Sequence, residues 1–253
     1  PLHAHCTPYR DRSHFDAQNV LEHGGAEPRA LRSGWLNRAV AALDARRGAP
    51  AGPRAIAIAN AMPLALRGTG VVTSWAPSVL PTPEQDLLDR VERLYGDDPA
   101  LAATFAQARL ANAVADADRA GGRGGDPATL AAAAARFLAA PDGPRIAMLE
   151  AGGWDTHASQ ELPRGALRRN YARLDAALEA LRTGLGAAWG RTAVLVLTEF
   201  GRTVAMNGSA GTDHGTGGAG FLLGGAVRGG RIHAAWPGLG RGDLLAGRDL
   251  RPT

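Results

Sequence analysis

The sequence predicts an α/β fold, and three observations carry that expectation. The runs "RIAMLE" (145–150) and "TAVLVLTEFGR" (192–202) read as buried strands, and a long amphipathic segment separates them. A strand, helix and strand of this length form a βαβ unit, so the two strands are expected to be parallel neighbours. The chain has 253 residues, 45% of them hydrophobic, enough to bury one sizeable core. We therefore expect a single α/β domain over 1–253.

"PLHAHC" reads as a short strand entering the turn "TPYRD". "SHFDAQNVLEHGG" follows as a helix, with Ser13 placed to cap it and Gly24 and Gly25 to stop it. "SGWLNRAVAALDARRG" repeats that grammar, with Leu36, Val40 and Leu43 at helical spacing. "RAIAIAN" and "GVVTSW" are short strands around a Pro-containing turn. In "TPEQDLLDRVERLYG", Leu87, Leu88, Val91, Leu94 and Tyr95 share a helical face, and Thr82 stands as a cap before Pro83. Two Ala-rich helices come next, split by "GGRGGD"; residues 82–140 are read as a helical insertion or layer. The helix between the two strand runs carries Leu167, Tyr171, Leu174, Leu178, Leu181 and Leu185 on one stripe.

Composition excludes several function classes. All 28 basic residues are arginine, yet the net charge is only +4, and no arginine run alternates with stacking aromatics. The expectation is no nucleic-acid partner. No stretch is long and apolar enough for a membrane-spanning helix. Cys6 is the single cysteine, so no intrachain disulfide can form. The chain begins without Met inside an element and stops at "RDLRPT"; we expect a fragment, incomplete at both ends.

The chemistry gathers at strand ends. "GGWDTH" puts Asp155 and His157 just after a buried strand and two glycines, which let the backbone turn sharply near a ligand. Glu199 follows "VLVLT", where a desolvated acid needs a partner: Arg202 or a metal. Asp213 and His214 are adjacent in the glycine-rich "GSAGTDHGTGG". Imidazole with carboxylate is a donor set for zinc or manganese. Parallel neighbours end at one sheet edge, where open α/β folds bind ligands, so these clusters are expected to converge there with "RDRSHFD". In that last segment Ser13 is either a plain N-cap or a hydroxyl that attacks an anionic ester held at the helix N-terminus, beside His14. Arg10, Arg12 and Arg202 could pair with anionic oxygens. His3, His5, His23 and His233 are read as structural. "GTGGAG" (215–220) matches a dinucleotide fingerprint, but it precedes an apolar run instead of following one, and we reject it.

Taken together and in order, "RSHFDAQ", "GGWDTH", "LTEFGRT", "NGSAGTDHG" and "LGGAVRGGRIHAAWPGL" resemble the bacterial domain-of-unknown-function family 1501, whose members are sulfatase-like and placed with the alkaline phosphatase superfamily. The resemblance implies an alkaline-phosphatase-like α/β/α sandwich with a mostly parallel sheet. It implies one or two divalent metals (zinc, manganese or calcium) and hydrolysis of a phosphate or sulfate ester of a small molecule or glycan. It also implies a periplasmic or secreted home reached by twin-arginine export. Carried over, Asp155, His157, Glu199, Asp213 and His214 are the metal ligands; beside them, our reading of the residues makes Ser13 the nucleophile or the group that orients water, and Arg202 the clamp on the anion. Phe200 stands where the superfamily usually has a further histidine ligand. An early aspartate of the superfamily is expected upstream of Pro1. "CTPYR" is similar to the Cys-x-Pro-Ser-Arg segment of sulfatases, with Tyr9 in the serine position. A rival expectation is a non-catalytic exported protein that binds sulfated or phosphorylated glycans on the same fold. A glycosidase using Asp155 and Glu199 leaves His157 and His214 without work and ranks last.

Overall fold

In the computed structural model the described residues are 1–48, 52–78, 83–115, 125–160 and 165–252. The elements run β1 (Leu2–His5), α1 (His14–His23), α2 (Trp35–Arg47), β2 (Ala55–Ile58), β3 (Val72–Trp75), α3 (Gln85–Tyr95), α4 (Pro99–Ala115), α5 (Pro127–Ala139), β4 (Ile146–Met148), α6 (Ala166–Leu185), β5 (Val194–Val196) and β6 (Gly218–Leu223). The chain is mixed α/β.

β2 is the centre of a parallel sheet ordered β3-β2-β4, in register Ala55 with Val72 and Ile146. All four of its residues are buried, the pattern of a strand covered on both faces. Ile56 and Ile58 pack against the end of α4, α5 and α6, including Phe137, Leu181 and Leu185. Ala55 and Ala57 pack with Val40 of α2 and Leu66 of a 3-10 turn at Leu64–Leu66. Successive strand residues point to opposite faces, so this small sheet lies between two helical layers. Each isoleucine contributes about 1.5–3 kcal/mol through burial.

The second sheet, β1-β6-β5, is antiparallel, pairing Leu2 with Gly220 and Val196 with Phe221. This corrects two expectations. β4 and β5 are not hydrogen-bonded neighbours, and the strands are not mostly parallel: one sheet is parallel and the other antiparallel. The reason is visible in exposure. Leu195 of β5 and Leu222 of β6 are each nearly half exposed, which a one-sided antiparallel sheet tolerates and a doubly covered parallel strand does not.

Two helical expectations also need adjustment. α3 has no buried residue, and Leu94 is 76% exposed, so its apolar stripe is not core. Its last turn meets α4, through an edge-on Tyr95–Phe105 contact and a Glu92–Arg109 ion pair at 2.6 Å. α5 is the true layer of the Ala-rich region, with Pro127 at its first turn and four buried alanines and a phenylalanine among its inward residues. On α6 the buried positions are Asn170, Ala177, Leu181 and Leu185; Tyr171 is exposed and edge-on to Trp154. Thr82 and most of "GGRGGD" lie outside the described residues. No described helix is long and apolar enough to cross a membrane.

Candidate metal centre

The site is built where three loops meet the start of α1. β1 leads through residues 6–13 to α1, whose N-cap position is Ser13 in extended conformation, without a side-chain cap bond. His14 is therefore the first helical residue. After β4 the chain turns at Gly153, whose φ of +98° suits glycine, and reaches Asp155 and His157. After β5 it runs through Glu199 to Arg202. The segment 207–216 is then stitched to both neighbours. Thr212 N donates to Thr156 O at 3.1 Å and Gln160 N to Ala210 O at 2.8 Å. Thr203 N donates to Asp213 O at 2.9 Å and Gly201 N to Thr216 O at 2.7 Å.

This stitching brings Asp155, His157, Glu199, Arg202, Asp213 and His214 together, and adds His14. The Nε2 atom of His214 lies 3.1 Å from that of His14 and 3.2 Å from that of His157. Asp155 completes the group: Oδ1 is 3.0 Å from His214 Nε2 and 2.8 Å from His157 Nε2, and Oδ2 is 3.3 Å from His14 Nε2. His14, Asp155 and His214 alone place three ligand atoms within 4.8 Å of one another, a cluster that could hold a metal ion. His157 is a further donor at its flank.

The opposite ring nitrogens explain why these imidazoles face inward. His14 Nδ1 is 2.6 Å from Glu199 Oε1, His157 Nδ1 is 3.1 Å from Asp213 Oδ1, and His214 Nδ1 is 2.9 Å from the Arg12 carbonyl. Ionised carboxylates and a carbonyl only accept, so each Nδ1 is the protonated nitrogen. All three Nε2 atoms are then lone-pair sites pointing at one another and at a carboxylate. Such an arrangement could hold a metal ion, and its outer bonding is of the kind that metal-binding histidines use. A tetrahedral zinc with bonds of about 2.0–2.1 Å separates its ligands by roughly 3.3 Å, close to the spacings seen here.

Each remaining predicted residue has a definite place. Glu199 and Asp213, expected as direct ligands, stand one bond further out, behind His14 and His157. Glu199 is also held by the Thr198 hydroxyl at 2.9 Å. Asn207 donates to Asp213 at 3.0 Å, and this bond, then the one to His157, lowers the Asp213 pKa. Arg202 donates to Asp155 Oδ1 at 2.5 Å, to the Thr212 hydroxyl at 3.1 Å and to the Thr212 carbonyl. All three of its nitrogens are thus engaged with the protein. Burial would raise the Asp155 pKa, but the bond from Arg202 and the proximity of His214 and His157 outweigh it and lower it to about 2. Phe200 does not ligate; its ring packs on His14 and His214, with centroids 4.8 and 4.9 Å away. Cys6 Sγ accepts from Arg10 at 2.8 Å. "GTGGAG" enters β6, a strand, in keeping with its rejection as a nucleotide loop.

Two contributors had no sequence signal specific to the site. His14 is one. Asp249 is the other: it is 1% exposed and pairs with Arg12 at 3.3 Å and Arg248 at 3.1 Å. Arg12 supplies the carbonyl that holds His214 Nδ1, and Arg248 donates to the His214 carbonyl. Asp249 thus braces His214 at both ends, with Arg12 held at φ +58°, a conformation that non-glycine residues seldom adopt.

A family model described as "Protein of unknown function (DUF1501)" matches residues 3–251. The chain belongs to the DUF1501 family. No curated protein and no solved structure matches it. The DUF1501 match spans every residue of the cluster, from His14 to Asp249.

Next to the centre of this DUF1501 protein, Glu150 faces Glu22 and Glu199. Burial, then those two charges, raise its pKa above the ordinary glutamate value of 4.5. A carboxyl whose folded pKa is raised costs no stability below its unfolded pKa and loses stability as pH rises through the folded one. Glu150→Gln should therefore melt above wild type at pH 7–8, with the difference closing below about pH 4. Thermal unfolding across that range checks the sign.

Proposed function

We propose that this protein is a metal-dependent hydrolase of phosphate or sulfate esters, on an alkaline-phosphatase-like α/β/α sandwich, acting in the periplasm or outside the cell after twin-arginine export. The observation that supports it best is the convergence of three imidazole Nε2 atoms and Asp155, each imidazole fixed from behind by an acceptor. His14, Asp155 and His214 would hold the ion, with His157 as the fourth donor. This nitrogen-rich set suits zinc or manganese, and it departs from the all-oxygen shell of calcium. When bound, such an ion polarises the ester and makes water more acidic.

The protein's own groups do the rest. Glu199 and Asp213 keep His14 and His157 in the Nε2-acceptor tautomer and in orientation. Arg202 keeps Asp155 ionised and aimed, and its charge beside the centre offsets that of an anionic ester. Ser13 opens α1 with its hydroxyl free of a cap bond, at a helix N-terminus that favours an anion. It is the nucleophile, or it orients the attacking water. The side chains of Asp155 and His157 are 43% and 45% exposed, so an ester can enter from that side.

The test is metal content together with turnover of 4-nitrophenyl phosphate and 4-nitrophenyl sulfate by metal-loaded protein. Turnover should depend on metal and fall to background in Asp155→Ala. Wild-type turnover in Asp155→Ala and His214→Ala would remove the proposal. Tight binding of a sulfated glycan with full metal and no turnover would decide for a non-catalytic binding protein instead.

A further inference from the structure

α1 presents two different faces. His14 reaches the metal cluster, while Phe15, Gln18, Asn19 and Glu22, at i, i+3, i+4 and i+7, line an adjacent cleft of about 440 Å³ that Asn60 and Glu150 close from the other side. The cleft and the cluster share a border: His14 and Phe15 are consecutive, and Glu150 lies close enough to Glu199 to feel its charge.

The chemistry of the lining is specific. Phe15 is 87% exposed, the most uncovered large apolar side chain described, and it sits at the cleft instead of in the core. Glu22 is 92% buried, and its Oε2 accepts from Ala65 N at 2.9 Å. Holding a buried carboxylate by one backbone N–H leaves acceptor capacity for a donor in the cleft. Gln18, which donates to Glu150 Oε1 at 3.3 Å, Asn19, whose Oδ1 accepts from Arg29 N at 2.6 Å, and Asn60 add amides with further donor and acceptor capacity. Glu22 and Glu150 outnumber Arg67 among the charged residues of the lining, so a negative group is disfavoured, and a purely apolar group would leave the buried Glu22 acceptor unmet.

We propose that this cleft binds the leaving group of the ester, and that the group is a neutral sugar. Its hydroxyls donate to Glu22 and Glu150 and exchange hydrogen bonds with the amides, while its C–H face lies on Phe15. The inference rests on the hydrolase reading for the word "leaving". In that reaction the bond from phosphorus or sulfur to the sugar oxygen breaks and water oxygen takes its place. One water proton goes to the sugar hydroxyl and the other to the inorganic product or to solvent.

Saturation-transfer NMR on the full chain, with methyl β-glucoside, methyl β-galactoside and N-acetylglucosamine as probes, tests it. At least one probe should receive transfer, weakened about fivefold or more in Phe15→Ala, the scale of one aromatic contact, and restored in Phe15→Trp. Metal-free His214→Ala should bind the same probe as wild type, while sugar binding by metal-loaded wild type that turns over no ester sinks the hydrolase reading and leaves the cleft assignment standing. No transfer to any probe, transfer indifferent to Phe15→Ala, or preferential binding of phosphocholine overturns the proposal.

Discussion

His214→Ala is expected to release the metal altogether. Its Nε2 is the one atom within 3.2 Å of both other imidazoles and also 3.0 Å from Asp155, so its loss opens the middle of the donor set. Glu199→Gln should do less. The amide oxygen still accepts from His14 Nδ1, but the negative charge that raises imidazole basicity is gone, which costs about 10–100-fold in affinity. Metal content after dialysis, and the visible spectrum of the cobalt form, measure both. The loss should also show in unfolding. Metal at a hundredfold excess over its Kd stabilises by about 2.7 kcal/mol, which for a domain of this size raises Tm by roughly 5–10 °C. Wild type should gain that increment and His214→Ala should gain none. An equal gain in both would mean that the ion sits elsewhere.

Much of this architecture was legible in the residues, and the gaps have physical causes. Periodicity identified β4, α6 and β5, because burial imprints a repeat on the chain. It could not choose the partner of β5, since a ladder with β6 or with β4 satisfies the same apolar run. The polar clusters met all the same, for a different reason than strand direction: the segment 207–216 is bonded to 156–160 on one side and to 201–203 on the other. His14 escaped notice as a donor because Ser13 and the helix start account for its neighbourhood, while its partners Glu199 and His214 are 185 and 200 positions away. Glu199 and Asp213 were found, but a carboxylate beside an imidazole has the same composition whether it touches the ion or the far ring nitrogen. α3 shows the converse: spacing tells which side of a helix is apolar, and says nothing of whether another element covers it.

The same stitching yields a second large effect, from a residue without a side chain. A Cβ on Gly211 would stand 2.2 Å from the carbonyl carbon of His157 and 2.3 Å from its oxygen. Both are main-chain atoms, so no rotamer change can make room. Gly211→Ala must push segment 207–216 away from His157, break the Thr212–Thr156 bond and carry Asp213 off His157 Nδ1. Overpacking of this kind costs about 1–3 kcal/mol or more, and here it also displaces a proposed ligand and the acid that orients it. The expected outcome is a Tm lower by roughly 2–12 °C together with metal affinity reduced at least tenfold. Gly208, three residues earlier in the same loop, is the matched control: its Cβ would meet nothing within 4 Å and its φ is not in the left-handed region. Gly208→Ala should leave both quantities at wild-type values. If the two alanines behave alike in melting and in metal titration, the contact between 207–216 and His157 does not hold the centre together.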